Sequence, residues 1–415
     1  MERGIVVVGA GAAGLMAARS AGEQIGRPGA VLLVEGARES GRKILVSGGG
    51  RCNVLPAEES PERFVSASPG RLVRRFLDRW PLAAQREFFE ELLGGPLREE
   101  TESGKLFPPT NRARDVRDAL QGAARRAGAV LRSGCPVREL VGVPGGFHVR
   151  LDGETIPAAA VVVATGGRSV LAPGADAGGT EWAAALGHTV RPTYPALAPL
   201  VGDAPSHHAL AGVSTKGRVT ARAGSGPSAD AAVSEGGFLF THRGWSGPAV
   251  LDVSHVVERA SRAARRADVR VAFVPGTAWE EELRGRPGSR GSLSSSLRIS
   301  SLPDRLVQLI LATAGVADVS LSRLTREARR RVVDSLTAFP IPATGTEGYR
   351  TAEVTGGGVA LEEVDPGSGE SRLVPGLYFA GEILDAFGPI GGFNFQWAWA
   401  TGRTAGEAAA RRFSP

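Results

Sequence analysis

Residues 41–53, GRKILVSGGGRCN, place three consecutive glycines beside side chains that can bind a ligand. Glycine has the largest backbone entropy cost of folding, so three in a row suit neither a helix nor a strand. Bare main chain can instead lie against a broad planar ring and offer it N–H groups. Lys43 and Arg51 can balance phosphate or ring charge, and Asn53 can both donate and accept hydrogen bonds. We therefore expect a ligand-cradling loop here rather than a flexible surface loop.

A second glycine motif, GAGAAG at residues 9–14, fits the pattern G-x-G-x-x-G. It lies between the apolar run GIVVVG, typical of a buried strand, and a helical pattern at 13–26. In such a turn Gly9 permits the tight bend, Gly11 lets a pyrophosphate approach the backbone, and Gly14 allows close helix–strand packing. The start of the helix offers free N–H groups to phosphates. The motif predicts a dinucleotide site.

An acidic residue follows at the distance that this motif requires. Glu35 ends the apolar run AVLLVE, about 20 residues beyond the glycines, where it can accept hydrogen bonds from ribose hydroxyls. An acid there favours a ribose with two free hydroxyls, as in NAD or FAD, and disfavours a 2′-phosphate. The motif alone leaves NAD and FAD open.

Two later segments favour FAD. The buried-strand pattern AAVVVATGG (159–167) and the segment GLYFAGEILDAFGPIGGFNFQWAWATG (376–402) both end apolar runs in glycine. Glu382 can reach polyol hydroxyls, and a helix predicted to begin near Phe393 can stabilise the negative charge of a reduced flavin. Four separated segments thus converge on a long ligand that carries a ring.

These segments supply a set of predicted cofactor-binding residues. They are Gly9, Ala10, Gly11, Ala13, Gly14, Glu35, Gly36, Lys43, Gly48, Gly49, Gly50, Arg51, Cys52, Asn53, Val137, Ala164, Thr165, Gly166, Gly167, Gly381, Glu382, Asp385, Gly391, Gly392, Phe393, Asn394 and Gln396. We interpret Cys52 as a lining residue rather than a redox thiol, because neither cysteine belongs to a CxxC pair. We predict no metal site: His207 and His208 would point to opposite faces of a strand, and no third ligand is nearby.

The elements that position these residues predict an α/β fold with a discontinuous first domain. We expect its first segment over 1–192 and its C-terminal segment over 340–415, because Gly-rich strand-and-loop patterns occur in both. Between them, short strand patterns predict a β-rich insert over 193–339, with a small helical piece at about 303–338.

Local patterns predict several helices and one connection. Residues 71–93 are expected to be helical with an interruption at Pro81, whose ring cannot continue the hydrogen-bond ladder. Residues 113–128 predict an amphipathic helix closed by Gly128. The segment 285–301 is poor in large apolar residues and is interpreted as a flexible connection.

Composition indicates a globular protein, at 415 residues with 57 glycines and a formal charge of +6. The arginine-rich stretches 262–270 and 326–332 are interpreted as solvated faces of amphipathic helices; a nucleic-acid surface is the alternative, disfavoured because no aromatic platform or recognition motif accompanies them. Met1 leads directly into a strand, which leaves no room for a signal peptide, and no apolar run approaches the ~20 residues of a membrane span. We expect a cytoplasmic protein without membrane or nucleic-acid partners.

Several motifs together resemble the BaiN-like family of FAD-dependent oxidoreductases, also described as aminoacetone oxidase-like. They are GAGAAG, GRKILVSGGGRCN, VVVATGG, GGFLFTHRGWSGPAVL, TGGGV and GLYFAGEILDAFGPIGGFNFQWAWATG. The resemblance implies a glutathione-reductase-like, Rossmann-type FAD domain, an inserted barrel-like β domain and a small helical subdomain. It also implies flavin-dependent oxidoreductase activity; one activity in the family reduces double bonds conjugated to a ketone in bile-acid intermediates.

We therefore expect hydride transfer between FAD and a small organic substrate, with reduction of an activated C=C bond and NAD(P)H as transient donor. Two alternatives remain open: a flavin-dependent amine oxidase using oxygen and, less favoured, an FAD-dependent tRNA-modifying enzyme. The catalytic residue is not defined by the sequence. His242, in THRGWSGP, is a weak candidate for a proton donor.

Overall fold

The structure is a computed structural model, and it describes residues 4–169, 178–226, 229–284 and 291–413. The chain forms two compact units. Residues 1–193 and 354–415 make the first unit, and residues 194–353 make the second, here called the inserted unit. The second boundary therefore falls after Glu353 rather than after residue 339. The reason is that the strands Phe339–Pro340 and Gly345–Thr346 both pair within the inserted unit.

The first unit is built on a sheet whose centre is parallel. Its hydrogen-bonded order is Val130–Ser133, Val31–Glu35, Gly4–Val8, Glu154–Val163, Gly146–Leu151 and Glu139–Val143, and Leu377–Phe379 also pairs with Glu154–Val163. The first four strands and Leu377–Phe379 run parallel, whereas the last two add an antiparallel meander. The central strand Gly4–Val8 is continuously apolar because both faces of a parallel sheet are buried, whereas the strand Val130–Ser133 contains Arg132 and is exposed at both ends. The strand predicted at GIVVVG and the helix predicted at 13–26 are confirmed, and with the parallel strand Val31–Glu35 they form a βαβ unit.

Helices cover this sheet. They are Ala12–Ile25, Arg42–Val46, Gly70–Leu77, Leu82–Leu92, Ala113–Arg126, Gly178–Ala185 and Phe393–Phe413, with short 3-10 turns at Ser47–Gly50, Pro61–Arg63, Leu361–Glu363 and Gly381–Ile383. Pro81 separates two of these helices as predicted, since it stands at the N-cap of Leu82–Leu92. A small antiparallel sheet of Leu55–Pro56, Lys105–Phe107 and Arg98–Glu100 completes the unit. The strands Val190–Ala196 and Val354–Val359 carry the chain into and out of the inserted unit.

The inserted unit is built on an antiparallel sheet. Its order is Phe339–Pro340, Asp268–Phe273, Ser214–Ala223, Asp230–Phe240, Gly244–Ser246, Leu200–Val201 and Gly345–Thr346. The pairings among the described residues form this open series, whereas a closed barrel would also join its two ends. The predicted β-rich character is thus present.

Helices of the inserted unit are Pro205–His208, Pro248–Arg262, Trp279–Glu282, Leu293–Ile299, Asp304–Ala314 and Arg326–Thr337, with a 3-10 turn at Leu321–Arg323. Its hydrophobic cluster is separate from that of the first unit. Among the described residues, no helix of the chain is long and apolar enough to span a bilayer.

Three local predictions were wrong. Of residues 262–270 only Arg262 is helical: it is the last residue of the helix, and Asp268–Phe273 is a strand. His207 and His208 lie on a short helix rather than a strand. Part of the expected flexible connection forms the helix Leu293–Ile299, while residues 285–290 lie outside the described residues.

Candidate functional site

The G-x-G-x-x-G turn has the geometry that a dinucleotide site requires. Gly9 adopts a φ of +99°, which only glycine accommodates easily. A Cβ on Gly14 would lie 1.7 Å from the Gly9 carbonyl oxygen, so this position must be bare for the helix to pack. A Cβ on Gly11, in contrast, would meet nothing within 4 Å. The turn is therefore packed from behind and open at its middle glycine.

The helix behind this turn begins without a side-chain cap. Gly11 is the N-cap of Ala12–Ile25 and makes no capping hydrogen bond. The first N–H groups of the helix thus remain available to an anion. Ala13, in the first turn, faces the loop of Gly381, where an added Cβ would lie 2.8 Å from the Ala13 Cβ.

Glu35 ties the neighbouring strand to the same turn. Its carboxylate accepts hydrogen bonds from the N–H groups of Ala10 (2.7 Å) and, across Gly36, Ala37 (2.9 Å). Each carboxylate oxygen has a second lone pair, so these bonds leave acceptor capacity for ribose hydroxyls. The assignment of Glu35 to the ribose stays a prediction.

The triple glycine forms a left-handed turn. The loop has three consecutive residues in the left-handed region, with φ of 56° at Gly48, 66° at Gly49 and 85° at Gly50. A residue with a side chain would be strained in this conformation. A Cβ at either Gly49 or Gly50 would meet no heavy atom within 4 Å. Cys52 is also left-handed, at 61°, and fully buried. Burial raises the pKa of its thiol to about 12, which keeps the sulfur neutral.

The two cations of this segment, Arg51 and Lys43, both have partners within the chain. Arg51 lies over the Phe107 ring at 4.1 Å and pairs with Glu100 at 3.2 Å. Its charge is therefore shared before any ligand binds.

Lys43 joins a polar network built from three further segments. Its ammonium donates to the Ser169 hydroxyl (2.7 Å) and to the Glu382 carboxylate. Glu382 also accepts from the Thr355 N–H (2.7 Å) and the Ser169 hydroxyl (3.1 Å). A Cβ on Gly167 would lie 2.4 Å from the Thr355 hydroxyl oxygen, so this glycine makes room for the network. The network gives Lys43 and Glu382 each other as partners.

The strand end before Gly167 also reaches the dinucleotide turn. Ala164 donates its N–H to the Val8 carbonyl at 2.8 Å, and Gly166 turns the chain at a φ of 73°. The Thr165 hydroxyl packs closely against Gly179, where an added Cβ would lie 2.1 Å from the hydroxyl oxygen. This predicted segment therefore lies beside Gly9 and Gly14.

The glycine-rich C-terminal segment is tied to the SGGGRCN loop by Asn53. With its amide oxygen toward Gly392, Asn53 accepts the Gly392 N–H at 3.0 Å and donates to the Leu55 carbonyl at 3.1 Å. The helix starting at Phe393 follows directly. The Gln396 amide is fully buried, donates weakly to Glu59 at 3.4 Å, and its Oε1 finds no partner among the described residues.

The remaining predicted residues of this segment have structural partners. Gly391 precedes this helix at a φ of 127°, and Phe393 is buried with the Arg63 guanidinium 4.9 Å from its ring. Asn394 closes the loop before the helix, because its side chain bonds both the N–H and the carbonyl of Gly388 at 2.9 Å.

The loop of Gly381 is held by the C-terminal helix. The Gly381 N–H donates to the Thr401 hydroxyl at 2.9 Å, and the Trp397 indole donates to the Gly381 carbonyl at 3.0 Å. Asp385, next in this loop, is buried and accepts the Ala67 N–H at 3.0 Å, and burial raises the pKa of its carboxyl.

Sequence reasoning missed Ser169, Thr355, Trp397 and Thr401. Thr355 opens the quoted TGGGV motif and Ser169 follows ATGG by two residues, so both stood next to signals.

Two predicted residues, Val137 and His242, complete the set. Val137 follows the strand Val130–Ser133, and its half-buried side chain packs on the core of the first unit. His242 is exposed in the turn before the strand Gly244–Ser246 of the inserted unit. It remains a weak candidate. In the described ranges, no group of three His, Cys, Asp or Glu side chains is arranged to hold a metal ion.

These features fit FAD. The turn at residues 9–14 leaves main chain bare, and the uncapped start of a helix follows it. The loop of the triple glycine is open at Gly49 and Gly50. The orphaned Oε1 of Gln396 is a buried acceptor at the other end of the cluster, and a buried polar atom normally has a partner. A two-headed dinucleotide with a flavin ring can supply the missing contacts.

Comparison with known proteins defines the class. Solved flavoenzymes share the fold: a flavocytochrome c3 fumarate reductase in its open conformation (TM-score 0.51, 18% identity, covering 99% of this chain and 78% of that one) and the 3-ketosteroid Δ1-dehydrogenase of Sterolibacterium denitrificans (0.50, 14%, 98% and 99%). These structures show that the chain has a Rossmann-type FAD-binding fold, as the sequence predicted. With the family match and the reductase relative given next, the protein is an FAD-dependent oxidoreductase.

The family follows from matches along nearly the whole chain. Residues 3–408 match the model described as HI0933-like protein Rossmann domain, and the chain belongs to this family, the one predicted from its motifs. It is 35% identical over 410 residues to the ribosomal RNA dihydrouridine synthase of Escherichia coli K12, covering 97% of this chain and 96% of that protein. It is 30% identical over 416 residues to the 3-dehydro-bile acid delta(4,6)-reductase of Clostridium scindens, covering 98% and 99%. A second ribosomal RNA dihydrouridine synthase, from Haemophilus influenzae, is 31% identical over 410 residues, covering 95% and 96%.

Proposed function

We propose that this protein reduces a carbon–carbon double bond conjugated to a carbonyl, and that its substrate is a uridine of ribosomal RNA. The observation that carries the proposal is the near full-length similarity to two ribosomal RNA dihydrouridine synthases. Dihydrouridine is uridine with hydrogen added across the C5–C6 bond, which is conjugated to the C4 carbonyl. The bond class is thus the activated C=C bond predicted from the sequence.

The chain's own residues would hold the cofactor, and bound FAD would supply the hydride. In this proposal the free N–H groups at the start of Ala12–Ile25 bind the pyrophosphate, and Glu35 accepts the ribose hydroxyls. The bare turn at residues 48–50 and the helix start at Phe393 flank the ring. The buried Gln396 amide adds a hydrogen bond in a dry site. A nicotinamide dinucleotide is the proposed donor.

An RNA substrate replaces the sequence-based expectation that nucleic acid is not a partner. Charge supports the change. The inserted unit contains 20 Lys and Arg residues against 15 Asp and Glu, so residues 194–353 hold +5 of the net +6. A positive surface attracts the phosphate backbone and speeds association.

A 3-oxo steroid with conjugated double bonds is the second candidate substrate. It is favoured by the 30% identity to the bile-acid delta(4,6)-reductase, which covers the chain almost completely. Both candidates require the same hydride transfer to a polarised C=C bond.

The test uses purified yellow protein under anaerobic conditions. NADH, NADPH or dithionite is the reductant, and in vitro transcribed ribosomal RNA or a 3-oxo-Δ4,6 steroid is the substrate. We expect nucleoside digests of the RNA to gain dihydrouridine, detected by mass spectrometry as uridine plus two hydrogens, and the steroid to react more slowly. Exclusive reduction of the steroid would transfer the proposal to the second candidate. Activity with dithionite but not with NADH or NADPH would show that the proposed donor is wrong. No activity with any reductant would show that the proposed substrate is wrong.

Air reoxidation of the reduced flavin addresses the oxidase alternative. We expect slow return of the yellow absorbance in stopped-flow measurements, whereas a rapid return accelerated by an amine would favour the oxidase.

A further inference from the structure

The inserted unit contains a basic pocket outside the site described above. It has a volume of about 330 Å³ and lies where the loop 274–279 folds over the sheet. This volume is at the lower end of the ~300–1,000 Å³ typical of small-molecule sites, enough for one nucleotide. Its lining includes Arg218, Thr220, Arg270, Val274, Thr277 and Thr337. We call it the Arg218 pocket.

Strand register puts the cations of the pocket on one face. Thr220 is paired with Arg270, and Arg218 with Ala272, in the antiparallel pair of Ser214–Ala223 and Asp268–Phe273. Directly opposed residues of two strands point to the same side of the sheet. Arg218 and Arg270 are exposed on this side, whereas their neighbours Val219 and Val271 are buried.

The wall of the pocket contains a strained residue. Val274 has a φ of +46°, a conformation that a β-branched side chain rarely adopts. Its N–H donates to the Lys216 carbonyl at 3.0 Å, which holds the turn against the sheet. The turn directs Pro275 to Thr277 over the pocket. Strain of this kind persists only where the surrounding packing sustains it, and it concentrates at functional sites.

We propose that the Arg218 pocket binds a phosphodiester group of the RNA substrate. Two guanidinium groups and the hydroxyls of Thr220, Thr277 and Thr337 supply the donors that phosphate oxygens accept. The assignment rests on the proposed RNA substrate. It gives the RNA a second binding contact, in the inserted unit, besides the site of hydride transfer.

Both arginines already have carboxylate partners at the surface. Arg218 donates to Glu235 at 2.9 and 2.8 Å, and Arg270 donates to Asp268 at 2.9 Å. Exposed ion pairs contribute little to stability, and each guanidinium has five N–H donors. A phosphate can therefore add to these pairs or replace them.

The test compares two double variants of the full FAD-loaded protein. R218Q/R270Q removes the pocket cations. R138Q/R150Q is the control, because Arg138 and Arg150 in the first unit also form exposed pairs, with Asp152 and Glu139. The control arginines are 54% and 51% exposed, against 55% and 53% in the pocket, and the charge change is the same. Bound FAD per chain and circular dichroism report whether each variant folds.

The readout is anisotropy of a fluorescein-labelled single-stranded ribosomal RNA fragment, titrated at several salt concentrations. For R218Q/R270Q we expect a loss of affinity of about tenfold or more, and a slope of log K against log salt smaller by about 0.7, because one phosphate contact is lost. The control should keep the wild-type slope. A scrambled RNA of equal length should be affected equally, because phosphates carry no sequence information.

The outcomes separate this proposal from the proposed function. Equal weakening of both variants, or an unchanged slope for R218Q/R270Q, would overturn the phosphate site even where the wild type produces dihydrouridine. A variant that binds RNA normally but has a raised KM for NADPH would also overturn it, by assigning the pocket to the donor nucleotide. A wild type that neither binds nor modifies RNA would remove the proposed function and this site with it.

Discussion

Gly11 and Gly14 are both bare for the dinucleotide turn, but they tolerate substitution differently. The space around Gly14 is filled by the Gly9 carbonyl, whereas the space beside Gly11 is open. Substitution of Gly14 should therefore disturb folding, whereas substitution of Gly11 should affect only what binds there.

Gly11→Asp is expected to yield folded, colourless protein. The new carboxylate meets no atom of the chain, yet it stands where we place the pyrophosphate and would repel it. Aspartate caps a helix better than glycine by a few tenths of a kcal/mol, so the apoprotein should be no less stable than wild-type apoprotein. Absorbance at the flavin maximum and thermal unfolding of both apoproteins check this. Gly14→Ala is the contrasting variant and should fold poorly; a yellow Gly11→Asp protein would refute the placement.

His207 should make the inserted unit sensitive to acid. Its ring is surrounded by Phe240, Trp245 and Phe339, its Nδ1 has no hydrogen-bond partner among the described residues, and burial lowers its pKa to about 4. The unfolded chain, with a histidine pKa near 6.5, therefore binds the proton first. Stability contributed by neutral His207 is complete above about pH 6.5 and falls by up to ~1.4 kcal/mol per pH unit toward pH 4.

His207→Phe is expected to flatten this pH profile. A phenyl ring fits the aromatic surroundings and leaves no buried nitrogen unpaired. Urea unfolding between pH 7 and 4.5 gives the measurement, with His148→Phe on the first unit as the matched control, since that histidine lies outside the inserted unit. An unchanged pH slope in His207→Phe would contradict the assignment.

At the scale of elements, the C-terminal helix Phe393–Phe413 positions the loops of the site. Thr401 makes one of its contacts with the Gly381 loop, accepting a hydrogen bond from the buried Gly381 N–H. Thr401→Val keeps the shape of the side chain but leaves this N–H unpaired, which should cost about 1–3 kcal/mol and loosen the loop. Urea unfolding and FAD titration of the apoprotein measure the two effects. Thr404→Val, on the same helix, is the control; equal losses in both would show that the effect is not specific to the loop.

Elements with strong local patterns were predictable, and those that depend on distant partners were not. GIVVVG and AVLLVE are short apolar runs that only a buried strand explains, and both are strands in the first unit. The helix Leu293–Ile299 looked like linker because serines dominate it. Its stability comes from Leu293 and Leu297, buried one turn apart, and from Asp318, which bonds the Ser294 N–H at 2.9 Å across 24 residues.

The candidate site shows the same division. Its glycine motifs were visible because bare main chain leaves a signature in the sequence. The bonds that bring them together were not, since Asn53 reaches Gly392 and Lys43 reaches Glu382 across more than 300 residues. Pairings of that length depend on the completed fold and have no local pattern.

At the scale of the whole molecule, cofactor and acid should act on different parts of the chain. The first unit contains the candidate FAD residues and one hydrophobic cluster. The inserted unit has a separate cluster and contains both histidines whose pKa burial lowers to about 4, His207 and His255. The division suggests two cooperative unfolding transitions rather than one.

Differential scanning calorimetry tests this separation. FAD at about 100 times its dissociation constant stabilises the unit that binds it by ~2.7 kcal/mol, which for a unit of this size is a rise in Tm of roughly 5–10 °C. We expect FAD to raise only the transition of the first unit. A change from pH 7 to pH 5 should lower mainly the transition of the inserted unit, because that unit has two histidines whose pKa burial lowers to about 4, whereas the first unit has one buried histidine with a lowered pKa, His188. Adding His207→Phe should reduce the acid shift and leave the FAD shift intact. A single transition that responds to both treatments would mean that the two units unfold together, and the acid-sensitive histidines would then limit the stability of the FAD site as well.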